Sequence, residues 1–199
     1  MTKSKPKEER IQQIIDNAVL EFIEKGYEGT SMESIARRAG LSKGGLYYHF
    51  NSKDEILIEA NNRFMQPVIL LMEKSRIIPS PTEGLRMYIK KYLRHWTTHT
   101  QELTFSFLSI YKLMSYEDIW PEMETYTDYI QSFFKEMLSK GIASDEFREH
   151  DSDSRALAMM ASLDGITPYI IMSRKLTISN VAESFIQTYI TEIEVTHHE

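Results

Sequence analysis

Residues 26–53 read GYEGTSMESIARRAGLSKGGLYYHFNSK, and this stretch decides the fold of the first quarter of the chain. It predicts two short helices, one from about Ser31 to Ala39 and one from about Lys43 to His49. Gly40 ends the first helix, and a serine directly before Lys43 is a good N-cap for the second. Two short helices joined by a tight glycine-containing turn are the layout of a helix-turn-helix, whose second helix enters the major groove of DNA.

The flanking sequence predicts one helix on each side of this motif. Upstream, an apolar stripe with helical spacing ends at Gly26 and comprises Ile11, Ile14, Ile15, Ala18, Val19 and Phe22. Thr30 and Glu33 have the spacing of a capping box for the first short helix, and Ser52 with Glu55 has it for a longer helix downstream. Pro67 interrupts that longer helix, where a kink or break is expected because proline removes one helical hydrogen bond.

The start of the second short helix has the chemistry that a DNA-binding helix needs. Lys43, Gly44 and Gly45 form its first turn, although each glycine costs roughly 1 kcal/mol of helix propensity. The two glycines would permit close approach of the backbone to DNA, and the helix N-terminus offers amides to an anion. Aromatic bulk and hydrogen-bonding groups follow in Tyr47, Tyr48 and His49, and Lys53 begins the next helix where a phosphate could sit.

The same stretch strongly resembles the DNA-binding signature of the tetracycline-repressor (TetR) family. The resemblance extends from about Glu9 to Leu57, and the positions in register are Gly26, Thr30, Ile35, Ala36, Ala39, Gly40, Ser42, Tyr47, His49, Phe50 and Lys53. It implies an all-α fold of about nine helices. A DNA-binding head, residues 1–66, would contain the helix-turn-helix at about 31–51. Residues 67–199 would bind a ligand and form a homodimer through the last two helices.

The resemblance also implies roles for single residues. Lys43, Gly44 and Gly45 match positions that read bases or approach the DNA backbone, and Ser42 completes this end of the site. Positions that usually touch phosphate are matched by Thr30, Ser31, Tyr47, Tyr48, His49 and Lys53. Two alternatives stay open here. Tyr47 could instead pack inside the head with its hydroxyl outward, and Arg37 and Arg38 either contact phosphate or form a solvated face.

Composition and charge exclude several other classes of protein. The 199 residues carry a net charge of −6, but residues 1–53 hold nine Lys and Arg against seven Asp and Glu, so the acidity lies in the rest. The absence of cysteine excludes disulfides, thiolate zinc sites and thiol catalysis. No signal peptide or apolar run of membrane-spanning length is present, which predicts a cytoplasmic protein without membrane contact. No catalytic constellation or cofactor motif is visible, so an enzyme is not expected.

The body has an aromatic-rich sequence that predicts a ligand cavity. One predicted helix, from Ser80 to about His99, presents tyrosine, histidine and tryptophan on one face instead of Leu, Ile and Val. Candidate ligand-binding residues are Tyr88, Tyr92, His95, Trp96, His99, Phe107, Tyr111, Trp120, Tyr126, Tyr129, Met160 and Asp164. For Asp164, a bond to backbone near Pro168 and a contact with a cationic ligand both remain open. His95 and His99 are four residues apart, but no third ligand is evident, so no metal site is expected.

Further helices are predicted over 102–113, 121–140, 154–174 and 181–194. The last two combine small residues with an apolar stripe, a pattern suited to a four-helix bundle across a twofold axis or to closing the monomer core. The sequence thus predicts a DNA-binding transcriptional regulator. Its partners would be operator DNA, a second copy of the chain and a small apolar or aromatic molecule that releases the repressor. The alternative is a regulator whose body recruits a protein partner, or one that acts as an activator.

Overall fold

The computed structural model describes residues 6–115 and 120–196, except for the side chains of residues 120–123. These residues form nine α-helices and one short 3-10 helix, and their only β pairing is an isolated bridge between Phe147 and Glu194. The helices are α1 (Lys7–Gly29), α2 (Met32–Arg38), α3 (Lys43–Tyr47), α4 (Lys53–Arg76), α5 (Pro81–Thr98), α6 (Thr100–Leu113), α7 (Trp120–Ala143), α8 (Ser152–Met172) and α9 (Ile178–Tyr189). The predicted all-α fold is confirmed. Among the described helices, none combines the length and apolar character that a bilayer crossing needs.

The chain divides into two compact units. The head unit comprises the described residues of 1–66 and 101–117, and the body unit comprises those of 67–100 and 118–199. The boundary falls inside α4, directly before Pro67. Residues 101–117, which the sequence assigned to the body, group with the head unit and bring most of α6 with them.

The core of the head unit is built on the apolar stripe of α1. Ile14, Ile15 and Phe22 are buried, as helical spacing predicts. Phe105 of α6 completes this core, because its ring lies 5.9 Å from the ring of Phe22 and meets Phe64 of α4 edge-on at 5.6 Å. Burying such a ring contributes about 1.5–3 kcal/mol, so α6 helps to hold the head together.

The capping box of α2 lies one residue later than predicted. Ser31 is the N-cap, its Oγ accepts the Ser34 amide at 3.1 Å, and the Ser34 Oγ accepts the Ser31 amide at 3.1 Å. The predicted box of Thr30 and Glu33 is therefore wrong. The Thr30 hydroxyl instead donates to the carbonyl of Gly26 at 2.8 Å, because α1 kinks there, with Gly26 at φ +71°, and leaves carbonyls that need donors.

The start of α4 follows the prediction in part. Ser52 accepts the Glu55 amide at 3.1 Å, but the Glu55 carboxylate reaches the Asn51 amide at 2.7 Å and not that of Ser52. Further along, α4 continues through Pro67 as one helix, so of the predicted kink or break the break does not occur. A proline removes a single hydrogen bond, and the bonds of the flanking turns keep the helix together.

The body unit packs α5 against α7, α8 and α9. Tyr88 lies at the centre of this core, with the rings of Phe133 and Phe134 at 4.8 and 5.5 Å. The last helix is shorter than predicted, since α9 ends at Tyr189 and a 3-10 helix, Thr191–Ile193, follows it. The chain end beyond it is held by backbone hydrogen bonds at 2.9 Å, from Arg148 to the carbonyl of Ile193 and from Val195 to that of Glu146.

Candidate DNA-binding surface and ligand site

Helix α3 presents one face to solvent and one face to the head core. Ser42 caps it by accepting the Gly45 amide at 3.1 Å, and fully buried Leu46 anchors it. A Cβ atom on Gly44 would meet nothing within 4 Å, whereas one on Gly45 would lie 3.2 Å from the capping Ser42 oxygen. Gly45 thus serves the local cap, while Gly44 leaves an open backbone surface that a DNA strand could approach.

The exposed face of α3 continues through the aromatic residues that follow. Tyr47 is 44% exposed and Tyr48 is 80% exposed, while His49 is half-buried. Tyr47 thus keeps nearly half of its surface open to solvent. The helix ends at Tyr47, two residues earlier than predicted, because the amides of His49 and Phe50 both turn back to the carbonyl of Leu46.

Lys43, the predicted base-reading residue, forms an ion pair with Glu33 of α2. Hydrogen bonding to Glu33 raises the pKa of Lys43, and the same bond lowers the pKa of Glu33, so both groups remain charged. Both side chains are 60% exposed, and exposed pairs of this kind contribute little to stability. A base edge or phosphate can therefore replace Glu33 as the partner of Lys43 at small cost.

Three other predicted DNA-binding residues lie at the junction of α1 with α2 and α4. Ser31 is exposed, but Thr30 is buried and its hydroxyl is used by α1, so its side chain is not available to phosphate. Lys53 is half-buried, and its ammonium donates to the carbonyls of Tyr27 at 2.8 Å and Thr30 at 3.1 Å. It also lies 4.0 Å above the Tyr27 ring. In this structure Lys53 caps the end of α1.

The arginines of α2 differ from each other. The Arg38 guanidinium donates a bidentate pair of hydrogen bonds to the Glu24 carboxylate of α1, at 2.7 and 2.5 Å. It also lies 3.7 Å from the buried carboxylate of Glu21. Hydrogen bonding to Glu24 raises the pKa of Arg38. Arg37 is exposed. Of the two, Arg38 holds α2 against α1, and only Arg37 is presented to solvent.

One contact within the head unit was not predicted from the sequence. Lys112 of α6 pairs with Glu28 of α1, and its ammonium lies 4.5 Å above the Tyr27 ring, which also receives Lys53. No local signal marks this pairing, because Glu28 and Lys112 are 84 positions apart. It places a residue of α6 at the end of α1.

The structure brings four of the predicted ligand-binding residues together in the body unit. Tyr92 of α5 donates from its hydroxyl to the Asp164 carboxylate of α8 at 2.6 Å. Burial raises the pKa of Tyr88, Tyr92 and Tyr126, and the nearby charge of Asp164 raises each of them further. Asp164 is exposed to solvent. Desolvation by the surrounding side chains nevertheless raises the pKa of its carboxyl, and the hydrogen bond from Tyr92 lowers that pKa by a smaller amount. Within the chain, the observed partner of Asp164 is the Tyr92 phenol and not the backbone near Pro168.

Two polar atoms on the next turn of α5 have no hydrogen-bond partner among the described residues. They are Nε1 of Trp96, a residue that is 3% exposed, and Nε2 of half-buried His95. Burial first, and then the neighbouring His99, lower the pKa of His95, which favours the neutral form of its ring. His99 is exposed, with its Nδ1 2.8 Å from the carbonyl of His95. Within the described residues, no group of three or more His, Cys, Asp or Glu side chains could hold a metal ion.

The remaining candidates lie elsewhere. Phe107 and Tyr111 are on α6 in the head unit, 43% and 82% exposed. Tyr129 of α7 donates to Glu73 of α4 at 3.1 Å. Met160 is half-buried, one turn before Asp164 on α8. Trp120 was also predicted to bind the ligand, and its side chain lies outside the described part of the structure.

Helices α8 and α9 border an open groove of about 570 Å³. Small and aromatic residues line it, among them Gly165 and Tyr169 of α8 and Val181 and Phe185 of α9. Tyr169 is 60% exposed, so the groove presents apolar surface to solvent. This is the surface that the sequence assigned to a dimer.

Comparisons with known proteins agree with the head geometry. Residues 14–60 match the family model "Bacterial regulatory proteins, tetR family". The chain is 31% identical over 80 residues to the icaADBC negative transcriptional regulator IcaR of Staphylococcus epidermidis, and 54% identical over 43 residues to IcaR of Staphylococcus aureus. These matches cover 40% and 22% of this chain, and 43% and 23% of the relatives. The chain thus spans less than half the length of the curated relatives that it matches.

Solved structures resemble nearly the whole chain. The TetR family regulator PfmR from Thermus thermophilus has a TM-score of 0.75 at 25% identity, covering 89% of this chain and 97% of its own. Two structures at 22% identity show the fold. FadR from Bacillus subtilis in complex with stearoyl-CoA has a TM-score of 0.77 with coverages of 92% and 99%. AibR in complex with isovaleryl coenzyme A and operator DNA has a TM-score of 0.70 with coverages of 90% and 97%.

The class that fold and site define is an all-α chain whose head carries a helix-turn-helix. Residues 14–60 of this head match the DNA-binding domain of the tetR family.

Proposed function

We propose that the chain is a dimeric transcriptional repressor that binds operator DNA through α3 and is released by a small molecule bound in its body unit. The observation that carries the DNA-binding function is the exposed N-terminal turn of α3. There Lys43 is charged, Gly44 leaves open backbone, and Tyr47 and Tyr48 extend the surface. These residues lie within the segment that matches the tetR family model. Such a protein acts without catalysis, in the bacterial cytoplasm where the DNA is.

Two features support repression by a dimer. IcaR, the relative with 54% identity over 43 residues of the head, is named a negative transcriptional regulator. A single five-residue recognition helix contacts few bases, so two half-sites on one face of DNA are needed for specificity. The groove between α8 and α9 offers apolar surface for the second copy.

The polar cluster of α5, α7 and α8 supports a ligand site in the body unit. Its phenols and carboxylate are gathered in a unit rich in apolar side chains, as ligand sites commonly are. FadR and AibR, which share the fold, were captured with acyl-CoA molecules. A ligand releases DNA only if it binds the DNA-free state more tightly, typically by 1–3 kcal/mol of coupling. Helix α4, which has residues in both units, is the proposed route.

DNA binding is tested with a duplex selected from a random pool and a scrambled duplex of equal composition. Fluorescence anisotropy over a salt series would measure both affinities. We expect Lys43→Ala to weaken the selected duplex by about 1–3 kcal/mol per half-site and the scrambled duplex by less. Lys90→Ala, which alters an exposed lysine on α5, is the matched control and should bind as the wild-type chain does. Equal decreases on both duplexes would make Lys43 a phosphate contact, and no sequence preference at all would reject the function.

Ligand release is tested on the same complex. Stearoyl-CoA, isovaleryl-CoA and a set of aromatic compounds would be titrated into the protein bound to its selected duplex. A fall in anisotropy at constant salt is the expected result for a ligand of the body unit. If none of them lowers the anisotropy while a bacterial protein binds the DNA-bound dimer, the body serves recruitment instead.

A further inference from the structure

The Asp164 carboxylate has no cationic partner. It accepts one hydrogen bond, from the Tyr92 hydroxyl at 2.6 Å. Among the described residues, none of the Lys, Arg or His side chains lies within 4.0 Å of it, although fourteen such ion pairs occur elsewhere in the described part of the chain. A partly desolvated carboxylate without a counter-charge is unfavourable, and a cation bound from outside the chain would compensate it.

The surroundings of Asp164 are aromatic. The rings of Tyr88 and Tyr92 lie 5.7 Å apart on α5, and the ring of Trp96 lies 6.4 Å from that of Tyr92. Tyr126 of α7 is close enough for the charge of Asp164 to raise its pKa. Aromatic faces attract cations, and the attraction grows when the site is desolvated. Neutral phenols and indole beside one carboxylate form an environment with negative potential.

A second observation on α5 points to a ligand independently. Nε1 of Trp96 is a buried donor without a partner among the described residues, and Nε2 of His95 is unpartnered too. Buried polar atoms are nearly always hydrogen-bonded, so the Trp96 donor is available to a polar group of a ligand. Trp96 follows Tyr92 by four residues, which is an axial rise of roughly 6 Å along the helix. A ligand that contacts both Asp164 and Trp96 would therefore carry two groups roughly 6 Å apart, one that meets the Asp164 carboxylate and a polar one that meets Nε1 of Trp96.

We infer that this cluster binds the cationic group of an aromatic or apolar amphiphile, with Asp164 as its counter-ion and the rings of Tyr92 and Trp96 beside it. This inference rests on the proposed ligand site of the body unit and names its substrate class. An acyl-CoA phosphate placed here would be repelled by Asp164. The polar head group of the ligand is therefore positive.

The test compares two probes of the same shape and different charge. Benzyltrimethylammonium carries a quaternary nitrogen where neutral neopentylbenzene has a carbon. Calorimetric titration of the full-length protein would measure both affinities, with stearoyl-CoA as the anionic comparator. We expect the cation to bind at least about tenfold more tightly than the neutral probe, because only the cation gains the charge interaction with the Asp164 carboxylate.

Variants test whether the preference for the cationic over the neutral probe depends on the Asp164 carboxylate. Asp164→Asn keeps the shape and should abolish the tenfold preference. Asp128→Asn, an exposed change on α7, is the matched control and should preserve it. Tyr92→Phe removes the competing hydrogen bond but keeps the ring, and it should leave the preference intact even if Asp164→Asn proves difficult to fold. Circular dichroism of each variant checks the helical fold.

The outcomes separate this inference from the proposed function. Equal binding of cation and neutral probe, or a preference that survives Asp164→Asn, overturns the cationic site. Tight stearoyl-CoA binding that releases the selected duplex, with no cation binding, overturns the inference while the repressor function stands. Cation binding that depends on Asp164 but never affects DNA affinity supports the site and contradicts ligand-controlled release.

Discussion

Replacing Lys53 by alanine should destabilise the head unit, since the ammonium caps the end of α1. The change removes two hydrogen bonds from a charged donor, to the carbonyls of Tyr27 and Thr30, and an approach of 4.0 Å to the Tyr27 ring. Bonds to charged groups contribute about 1.5–3 kcal/mol each, and an exposed cation–π contact about 0.5–1 kcal/mol. Lys53 is only half-buried, and in the variant water can replace part of the lost hydrogen bonding to the two carbonyls. We therefore expect the free energy of unfolding to fall by about 2 kcal/mol.

The assay is urea unfolding followed by circular dichroism, combined with hydrogen exchange of the amides of α1 and α2. With an m-value of about 2 kcal/mol/M, a decrease of about 2 kcal/mol moves the midpoint by about 1 M. Lys53→Met keeps the apolar stem without the charge, and it should be destabilised nearly as much as Lys53→Ala. Lys43→Ala removes an ammonium that pairs only across the surface, and it should unfold at the wild-type urea concentration.

The sequence led to another expectation for this residue, binding to a DNA phosphate, and the same variants distinguish the two roles. Removing one phosphate-binding lysine from each half-site would reduce the slope of log affinity against log salt by about one per half-site. If Lys53→Ala unfolds at the wild-type midpoint while its salt slope falls by that amount, the capping role is refuted. A shifted midpoint with an unchanged slope refutes the phosphate-binding role instead.

Three further changes have defined outcomes. Asp164→Asn should raise the melting temperature at neutral pH but not near pH 3. Desolvation raises the folded-state pKa of Asp164, so the wild-type chain loses stability as pH rises through that pKa. An equal shift of the melting temperature at all pH values would contradict this prediction. Tyr169→Glu, which alters a 60% exposed residue in the groove of α8 and α9, should turn a dimer into a monomer by sedimentation at micromolar concentration, and a wild-type chain that sediments only at 23.3 kDa would contradict the dimer. Pro67→Ala should change the ligand response of DNA binding more than ligand affinity, and unchanged coupling would exclude α4 as the route.

Helix starts could be predicted from the sequence because their determinants are local. Ser42, Ser52 and Ser80 each accept an amide three residues ahead, so both partners of the cap lie within one turn of the chain. Thr30 is the exception. It has the right spacing for a cap, but the kink at Gly26 leaves a carbonyl that takes its hydroxyl, so the cap moves to the next residue. That competition depends on how α1 ends, which spacing does not show.

Partners that are distant in the chain could be predicted only as residue types. The sequence marked Tyr92 and Asp164 separately, and the fold joins them across 72 positions. The same holds for Phe105, whose place in the head core depends on the packing of α6 beside α1 and not on any local pattern. Helical periodicity gives the buried face of each helix. Several helices have similar apolar faces, so the sequence pattern does not show which helix packs against which.

Under the proposed function, the division of the chain determines how a ligand signal would reach DNA. Between the described residues, the polypeptide passes from one unit to the other inside α4 before Pro67 and again where α5 gives way to α6. The unpartnered atoms of His95 and Trp96 are within two turns of this second passage. On its far side, Lys112 of α6 reaches the end of α1. A ligand bound as proposed, if it ordered the last turns of α5, would have a route along the chain into α6 that does not require α4. If Pro67→Ala leaves the coupling unchanged and Lys112→Met reduces it, the signal travels by α6.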